Sequence, residues 1–310
     1  MTTSPMTFPA YLELSESGEL ARRAGRAYAA MKSCVLCPRD CRVNRLQNKK
    51  GFCGIGKVAG VASANIHTGE EPPISGTRGS GTIFFTGCNM RCRFCQNWPI
   101  SRLRHGNPAP PERLAEMMLN LQKRGAHNIN LVTPSHVVPQ FLAGLVIAAR
   151  QGLRLPIVYN SSGYEGMESL RLLDGVVDIY MPDIKYSERD SADRCSCAPD
   201  YWDAVRPAIK EMYRQAGAFE MDEEGIGRRG LLIRHLVLPG GLSGSEKVFE
   251  FIATELSADV PVNLMSQYFP ADKAMGDALL GRGITREEFA EAEDALHRHG
   301  LTRGWIQYMD

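Results

Sequence analysis

No stretch of this chain is apolar enough to span a membrane. The best run, Phe141 to Ala149, is broken by Gly144 and falls far short of the roughly 20 apolar residues a spanning helix needs. The opening MTTSPMTFPAYLELSESGEL carries no basic region followed by an apolar core. No signal peptide is therefore expected, and the expected compartment is the cytoplasm. Neither sign of charge dominates: 36 Lys and Arg against 35 Asp and Glu leave a net charge of +1. That balance removes any global pull toward nucleic acid or an acidic membrane, so neither is an expected partner. No glycine fingerprint of a dinucleotide fold follows the first clear strand.

What is present is ordinary in bulk and unusual in its cysteines. With 310 residues, 44% hydrophobic and 23% charged, the chain has the composition of a soluble globular protein with room for a large core or two domains. Nine cysteines in such a chain read as metal ligands or reactive thiols rather than as a disulfide framework. Three of them lie in TIFFTGCNMRCRFCQNW, Thr82 to Trp98. Ile83, Phe84 and Phe85 form a short strand stopped by Thr86-Gly87, and Cys88, Cys92 and Cys95 follow with the spacing Cys-x3-Cys-x2-Cys. Three thiolates on one short loop suit an iron–sulfur cluster. A cubane has four irons, so three cysteines leave one iron open to another ligand. The plainer alternative is a zinc knuckle or buried structural thiols; three cysteines without a nearby His or fourth Cys make a poor closed zinc site.

A second set lies in CVLCPRDCRVNRLQNKKGFCGIG, where Cys34, Cys37, Cys41 and Cys53 can close a zinc site or ligate a second cluster. Thiolate softness suits both. Such a site would relay electrons, bind substrate, or staple the N-terminal arm. Arg39, Arg42 and Arg45 read as solvated charges or as balance for a cluster's negative charge. Cys195 and Cys197 read as thiols on a loop, too few to close a metal site.

Periodicity gives the framework. A helix is expected over about Gly18–Lys32, with Leu20, Ala24, Tyr28 and Met31 on one side. Val58–Thr68 reads as a strand or hairpin, and Glu70-Glu71-Pro72-Pro73 as a turn with exposed carboxylates. After the cysteine loop, helices (from Pro111 to Gly125, then about Val138–Gln151, Glu168–Leu173, Tyr201–Ala216, Ser245–Leu256 and Arg286–His299) alternate with strands. The strands are Asn128–Val132, Leu155–Tyr159, Val176–Met181, Leu231–Leu238 and Val260–Met265; Asp222–Arg229 reads as a charged loop. Six strands alternating with helices predict a parallel sheet with helical crossovers. In a barrel of that build the ligand site lies at the C-terminal strand ends.

Each strand does end in a polar or Gly/Pro cluster. Thr133 and Ser135 offer hydroxyls; His136 reads as a hydrogen-bonded structural residue, with proton donation the sharper alternative. Asn160-Ser161-Ser162-Gly163 can bond ribose hydroxyls or simply form a capped turn. Asp183 and Lys185 alternate at the end of an apolar strand and so point to one side, as a functional pair or as a structural ion pair.

The stretch GCNMRCRFCQN, with Phe94 ahead of the last cysteine, resembles the radical S-adenosylmethionine (radical SAM) superfamily. The order CVLCPRDC, GFCG, GTIFFTGCNMRCRFCQN, YMPDIKY, RHLVLPG, VNLMSQY resembles its pyruvate formate-lyase activating enzyme-like subfamily with a cysteine-rich N-terminal extension, over about residues 30–270. The resemblance implies an α/β fold, a partial (β/α)6 TIM-like barrel over 76–310, with the helix and cysteine-rich extension in 1–75. It implies a [4Fe–4S] cluster on Cys88, Cys92 and Cys95 whose open iron binds S-adenosylmethionine. Reductive cleavage then yields a 5′-deoxyadenosyl radical that takes hydrogen from a peptide or protein, with flavodoxin or ferredoxin as electron donor. Phe94, Thr133, Ser135, Asn160, Ser162, Lys185, Arg234 and Gln267 stand where the family binds the cofactor. Thr133-Pro134-Ser135-His136 departs from the family's glycine-rich segment. Asp183 and Lys185 match its Asp-x-Lys segment, with Asp183 and the Met181 carbonyl placed to hold a monovalent cation. A different enzyme reading has the chain modify a small molecule or peptide directly, helped by an N-terminal cluster. Outside enzymes, the reading is a cysteine-rich metal-binding interaction protein; the three-cysteine loop and the near-neutral charge speak against it.

Overall fold

A computed structural model describes residues 8–308; the first seven residues of the stretch inspected for a targeting signal lie outside the described residues. Two helices open the chain, α1 (Tyr11–Glu16) and α2 (Glu19–Ala30). After the cysteine-rich segment come β1 (Ala59–His67), α3 (Pro72–Ser75), β2 (Ser80–Phe85), α4 (Trp98–Ser101) and β3 (Asn107–Ala109). Helices and strands then alternate through α5 (Pro111–Lys123), β4 (Ile129–Val132), α6 (Val138–Arg150), β5 (Ile157–Ser161), α7 (Met167–Leu173) and β6 (Ile179–Pro182). Next are α8 (Arg189–Ser196), α9 (Tyr201–Ala216), β7 (Glu220–Met221), β8 (Gly227–Leu231) and β9 (Ile233–Leu236). The chain ends with α10 (Ser245–Glu255), β10 (Val262–Met265), α11 (Arg286–Arg298) and β11 (Gly304–Gln307).

The strands lie in the order β3-β1-β2-β4-β5-β6-β8-β7, with a second set β11-β10-β9. A parallel bridge from Asp183, just past β6, to Arg234 on β9 joins the two sets. The result is an α/β fold with a mostly parallel central sheet, consistent with a partial TIM-like barrel. Strand β1 runs antiparallel to β2 from Val61 to His67 and to β3 from Ala59 to Val61, so the segment after the N-terminal cysteines is sewn into the barrel sheet. Among the described residues no helix is long and apolar enough to cross a membrane.

Alternation along the strands builds two cores. Ile129, Leu131, Ile157, Tyr159, Leu231 and Ile233 face the helix layer. Val158, Ile179, Met181 and Leu232 pack in a separate cluster with Ile74 and Phe219, filling the barrel's interior from below. The interior also carries charge. Glu71, expected on an exposed turn, is 3% exposed and bonds Arg234 Nε (2.6 Å) and Asn263 Nδ2 (2.6 Å). Glu70 reaches the same guanidinium. The two prolines after Glu71 start α3 rather than an open turn, which folds the pair inward.

Three further expectations change. The strand expected over Leu231–Leu238 is split at Leu232 into β8 and β9, which pair with different neighbours. The loop expected over Asp222–Arg229 contains a turn, pinned by Asp222 Oδ1 accepting from Glu224 and Ile226, that leads into β8. Cys195 lies on α8, with Cys197 capping it in the left-handed region at φ 51°; this helix buries only Ala192, Cys195 and Ser196, so it has too thin an apolar stripe to read from sequence.

Glu71 is deeply buried, which opposes its charge, yet Arg234 and Asn263 outweigh that and hold its carboxyl below the ordinary 4.5. Arg234→Met should lower the unfolding free energy in urea titrations by about 3–5 kcal/mol, because two carboxylates stay buried without their cation. Glu71 contributes fully above pH 4.5 and progressively less as pH falls through its lowered folded value, so the variant should also lose part of the wild-type acid sensitivity.

Candidate active site

Strand β2 delivers the chain to its C-terminal end, where Gly87 turns it with φ 77°; a Cβ here would sit 2.6 Å from the Cys53 carbonyl. The loop that follows has no ladder of its own, so neighbours hold it. Arg91 N and Arg93 N donate to the Ser196 and Cys195 carbonyls at 3.2 and 2.8 Å. Ala274 N donates to the Arg93 carbonyl at 3.0 Å, and Asn89 Nδ2 to the Tyr164 carbonyl at 2.6 Å. Phe94 is buried behind the loop, edge-on to Tyr268 at 5.5 Å.

Cys88, Cys92 and Cys95 line one concavity of about 490 Å³, together with Cys53 and Phe52. Each sulfur has a polar partner. Cys88 accepts from Met90 N at 3.3 Å, Cys92 from Ser196 Oγ at 2.9 Å, and Cys95 lies 3.2 Å from Ser101 Oγ. Burial pushes the Cys88 and Cys92 thiols up, and Lys185 pulls both the other way. Sulfurs this crowded and dry shed their protons together only to a cation that replaces them. Among the described residues no three Cys, His, Asp or Glu side chains close tightly enough around one point for a single ion. The donor set, three thiols spread around an open concavity, fits a cubane with one iron unclaimed by protein.

Lys185 stands beside this loop, its Nζ 2.5 Å from Asp183 Oδ2. Burial works against its charge, but Asp183 and the thiols Cys92 and Cys95 outweigh that and raise its pKa. Thr133 sits at the end of β4 with φ 60°, held by its N–H to the Asn160 carbonyl at 2.8 Å. A β-branched residue in this region costs roughly 1–3 kcal/mol, the kind of strain that collects at functional sites. Ser162 Oγ, one strand along, is buried without a partner among the described residues. Thus Cys88, Cys92, Cys95, Asp183 and Lys185 come together, and Thr133, Asn160 and Ser162 stand on the adjacent strand ends.

The remaining candidates lie elsewhere. Ser135 turns toward the helix layer, where its hydroxyl is taken by Glu165. Arg234 is engaged with Glu70 and Glu71 in the barrel interior. Gln267 has an exposed side chain, while its carbonyl accepts from Gln96 Nε2 at 3.0 Å. His136 donates from Nε2 to the Thr86 carbonyl at 2.8 Å, and burial lowers its pKa to about 4, so it stays neutral, as a structural residue would.

Several contributors carried no sequence signal. Arg39, expected to be solvated or to balance a cluster's charge, donates to the carbonyls of Asn89 and Cys197 and lies 3.8 Å over the Phe52 ring. It clamps the cysteine loop to the end of α8. Arg45, expected to be solvated or to balance a cluster's charge, is 1% exposed. Ser196, at the end of a helix that the sequence did not announce, reaches Cys92 with its hydroxyl, and the Tyr186 hydroxyl lies 2.7 Å from that oxygen. A hydrogen bond to a cluster thiolate favours the electron-rich reduced state. Ser196→Ala should therefore lower the midpoint potential of the reconstituted cluster by about 59 mV, a tenfold change for a one-electron couple. An EPR-monitored redox titration at equal iron content checks it.

The radical SAM superfamily profile matches residues 82–218, the span from the cysteine loop through α9. The chain is 33% identical over 278 residues to uncharacterized protein MJ0674 of Methanocaldococcus jannaschii, covering 87% of this chain and 76% of that protein. It is 27% identical over 172 residues to uncharacterized protein MJ0808 of the same organism, covering 49% of each. Among solved structures, a radical SAM methyltransferase from Sphaerobacter thermophilus aligns with TM-score 0.49 and 14% identity over 73% of this chain and 66% of that one. Streptococcus suis SuiB bound to precursor peptide SuiA aligns with TM-score 0.48 and 10% identity over 71% of this chain. The alignment spans 46% of the SuiB chain, less than half its length. With the three-cysteine loop at the C-terminal end of the first parallel strand and the profile match running from it, this chain belongs to the radical SAM superfamily, whose members are enzymes that hold a [4Fe–4S] cluster and use S-adenosylmethionine.

Proposed function

We propose that this enzyme takes a hydrogen atom from a peptide or protein substrate, in the manner of the glycyl-radical activating enzymes. The observation that carries the reading is the placement of Lys185, charged and buried, beside the three-thiol loop. Cys88, Cys92 and Cys95 would hold a cluster that would supply the one electron needed to break a carbon–sulfur bond of S-adenosylmethionine, giving methionine and a 5′-deoxyadenosyl radical. The protein's part is to hold and orient. Lys185 pairs with the methionine carboxylate, a charge-assisted contact, and Asp183 keeps its ammonium aimed and protonated. Ser162, whose buried hydroxyl has no partner among the described residues, and Asn160 meet the ribose. Phe94 and Tyr268 close the back of the loop against water.

A macromolecular substrate is supported by the rim. Phe269 and Met275 are 53% and 71% exposed on the segment that bonds the cysteine loop, and Leu103, 46% exposed, follows the Arg102 that pairs with Asp272. Large apolar side chains left exposed on segments tied to a site favour a partner with surface to cover them. A second reading, direct modification of a small molecule or peptide with a helping N-terminal cluster, draws on Phe52 and Cys53, which line both cysteine cavities.

Lys185→Ala should weaken S-adenosylmethionine binding by roughly tenfold or more while leaving iron content unchanged, read by calorimetry on the reconstituted protein. Cys92→Ala should abolish S-adenosylmethionine cleavage in a protein whose circular dichroism is that of the wild type. Full affinity in the first or full cleavage in the second would sink the assignment.

A further inference from the structure

The four N-terminal thiols converge. Cys34, Cys37, Cys41 and Cys53 line a single cavity of about 280 Å³, with Arg45 and Phe52 in its wall. The local chain is bent to make it. Cys34 N donates to the Val43 carbonyl at 3.1 Å and Arg42 N to the Cys34 carbonyl at 3.0 Å, closing a knuckle in which Asp40 and Arg42 take left-handed φ of 40° and 50°. Gly51 passes so close to Cys41 that a Cβ would lie 2.8 Å from its sulfur, and Phe52 N donates to that sulfur at 3.4 Å.

Arg45 is the informative neighbour. It is 1% exposed, and its Nε and one Nη donate to the Gly56 and His136 carbonyls at 3.2 and 2.8 Å. Among the described residues it pairs with no carboxylate, and its Nη2 is buried with no partner at all. Its nearest anionic candidate is Cys34 Sγ, 3.8 Å from Nη1. A guanidinium cannot shed its proton, so burying one requires an anion beside it. Four thiolates around a metal centre supply that anion.

The room at the site bears on which metal it takes. A tetrahedral zinc with bonds of about 2.3 Å draws its four sulfurs to about 3.8 Å from one another around a single point. Here the four thiols line the wall of a cavity of about 280 Å³. A cubane holds its thiolates well apart, one at each iron.

We propose that Cys34, Cys37, Cys41 and Cys53 hold a second [4Fe–4S] cluster, fully ligated by protein, with Arg45 as its buried counter-charge. It lies behind the Phe52–Cys53 wall that also bounds the first site. The test is the full chain carrying Cys88→Ala, Cys92→Ala and Cys95→Ala, reconstituted anaerobically with iron and sulfide. About four irons and no zinc per chain, with a cubane Mössbauer signature, are expected. Arg45→Met in the same background should lower that cluster's potential, since the cation favours the reduced form. Zinc in place of iron, or a folded triple variant without metal, would overturn the proposal. Should the triple variant not fold, the wild-type count decides: about eight irons supports it and about four overturns it.

Discussion

A short loop must present three sulfurs to one centre without any secondary structure to stiffen it, and the rest of the site follows from how that is done. The ladder of β2 stops at Phe85, so the backbone groups of the loop find partners on other elements. The end of α8 takes two of its N–H groups, Tyr164 accepts from Asn89, and Arg39 donates to the Asn89 carbonyl from the other side. Because α8 also supplies the Ser196 hydroxyl to Cys92, one helix end both positions the loop and polarises one of its sulfurs. Arg39 lies between two cysteines of the N-terminal set, so the two thiol sites share a mechanical link as well as a wall.

Arg234, Lys185 and Arg45 are cations with largely buried side chains, and each is balanced differently. Arg234, in the interior, has two carboxylates and an amide around it and is an internal brace. Lys185, at the mouth, has one carboxylate and the field of the thiols, which leaves it charged with donor capacity to spare. Arg45, beside the N-terminal thiols, has carbonyls and a thiol. Buried charge is costly, so the degree to which protein groups satisfy it distinguishes structure from function. The fully paired Arg234 braces the fold; the two incompletely paired cations stand next to sulfur.

The framework was legible where periodicity was strong. Helix α9 begins and ends where its apolar stripe does, β4 and β10 lie within the runs that announce them, and β5 starts inside its run but continues past Tyr159 to Ser161. The cysteine loop and the Asp-x-Lys pair were legible because residue type and spacing carry their chemistry locally. What escaped was non-local. The inward fold of Glu71 depends on Arg234 and Asn263, 163 and 192 residues away, and no local pattern encodes it. Helix α8 escaped because one mostly polar turn after another hides its short buried face. Arg39 and Arg45 look like any basic residues in a basic stretch; only the folded knuckle shows that their side chains run inward. Ser135 stands in the segment that its residue types suggested, but its hydroxyl is taken by Glu165, a partner 30 residues away that no local pattern encodes.

The central claim is that three cysteines leave one iron open and that S-adenosylmethionine occupies it. The most direct measurement is the EPR spectrum of the reduced, reconstituted protein before and after adding S-adenosylmethionine, which needs no knowledge of the substrate. The account predicts that the signal lost in Cys88→Ala, Cys92→Ala and Cys95→Ala chains shifts its g values when S-adenosylmethionine is added. A spectrum unchanged by saturating S-adenosylmethionine would contradict it.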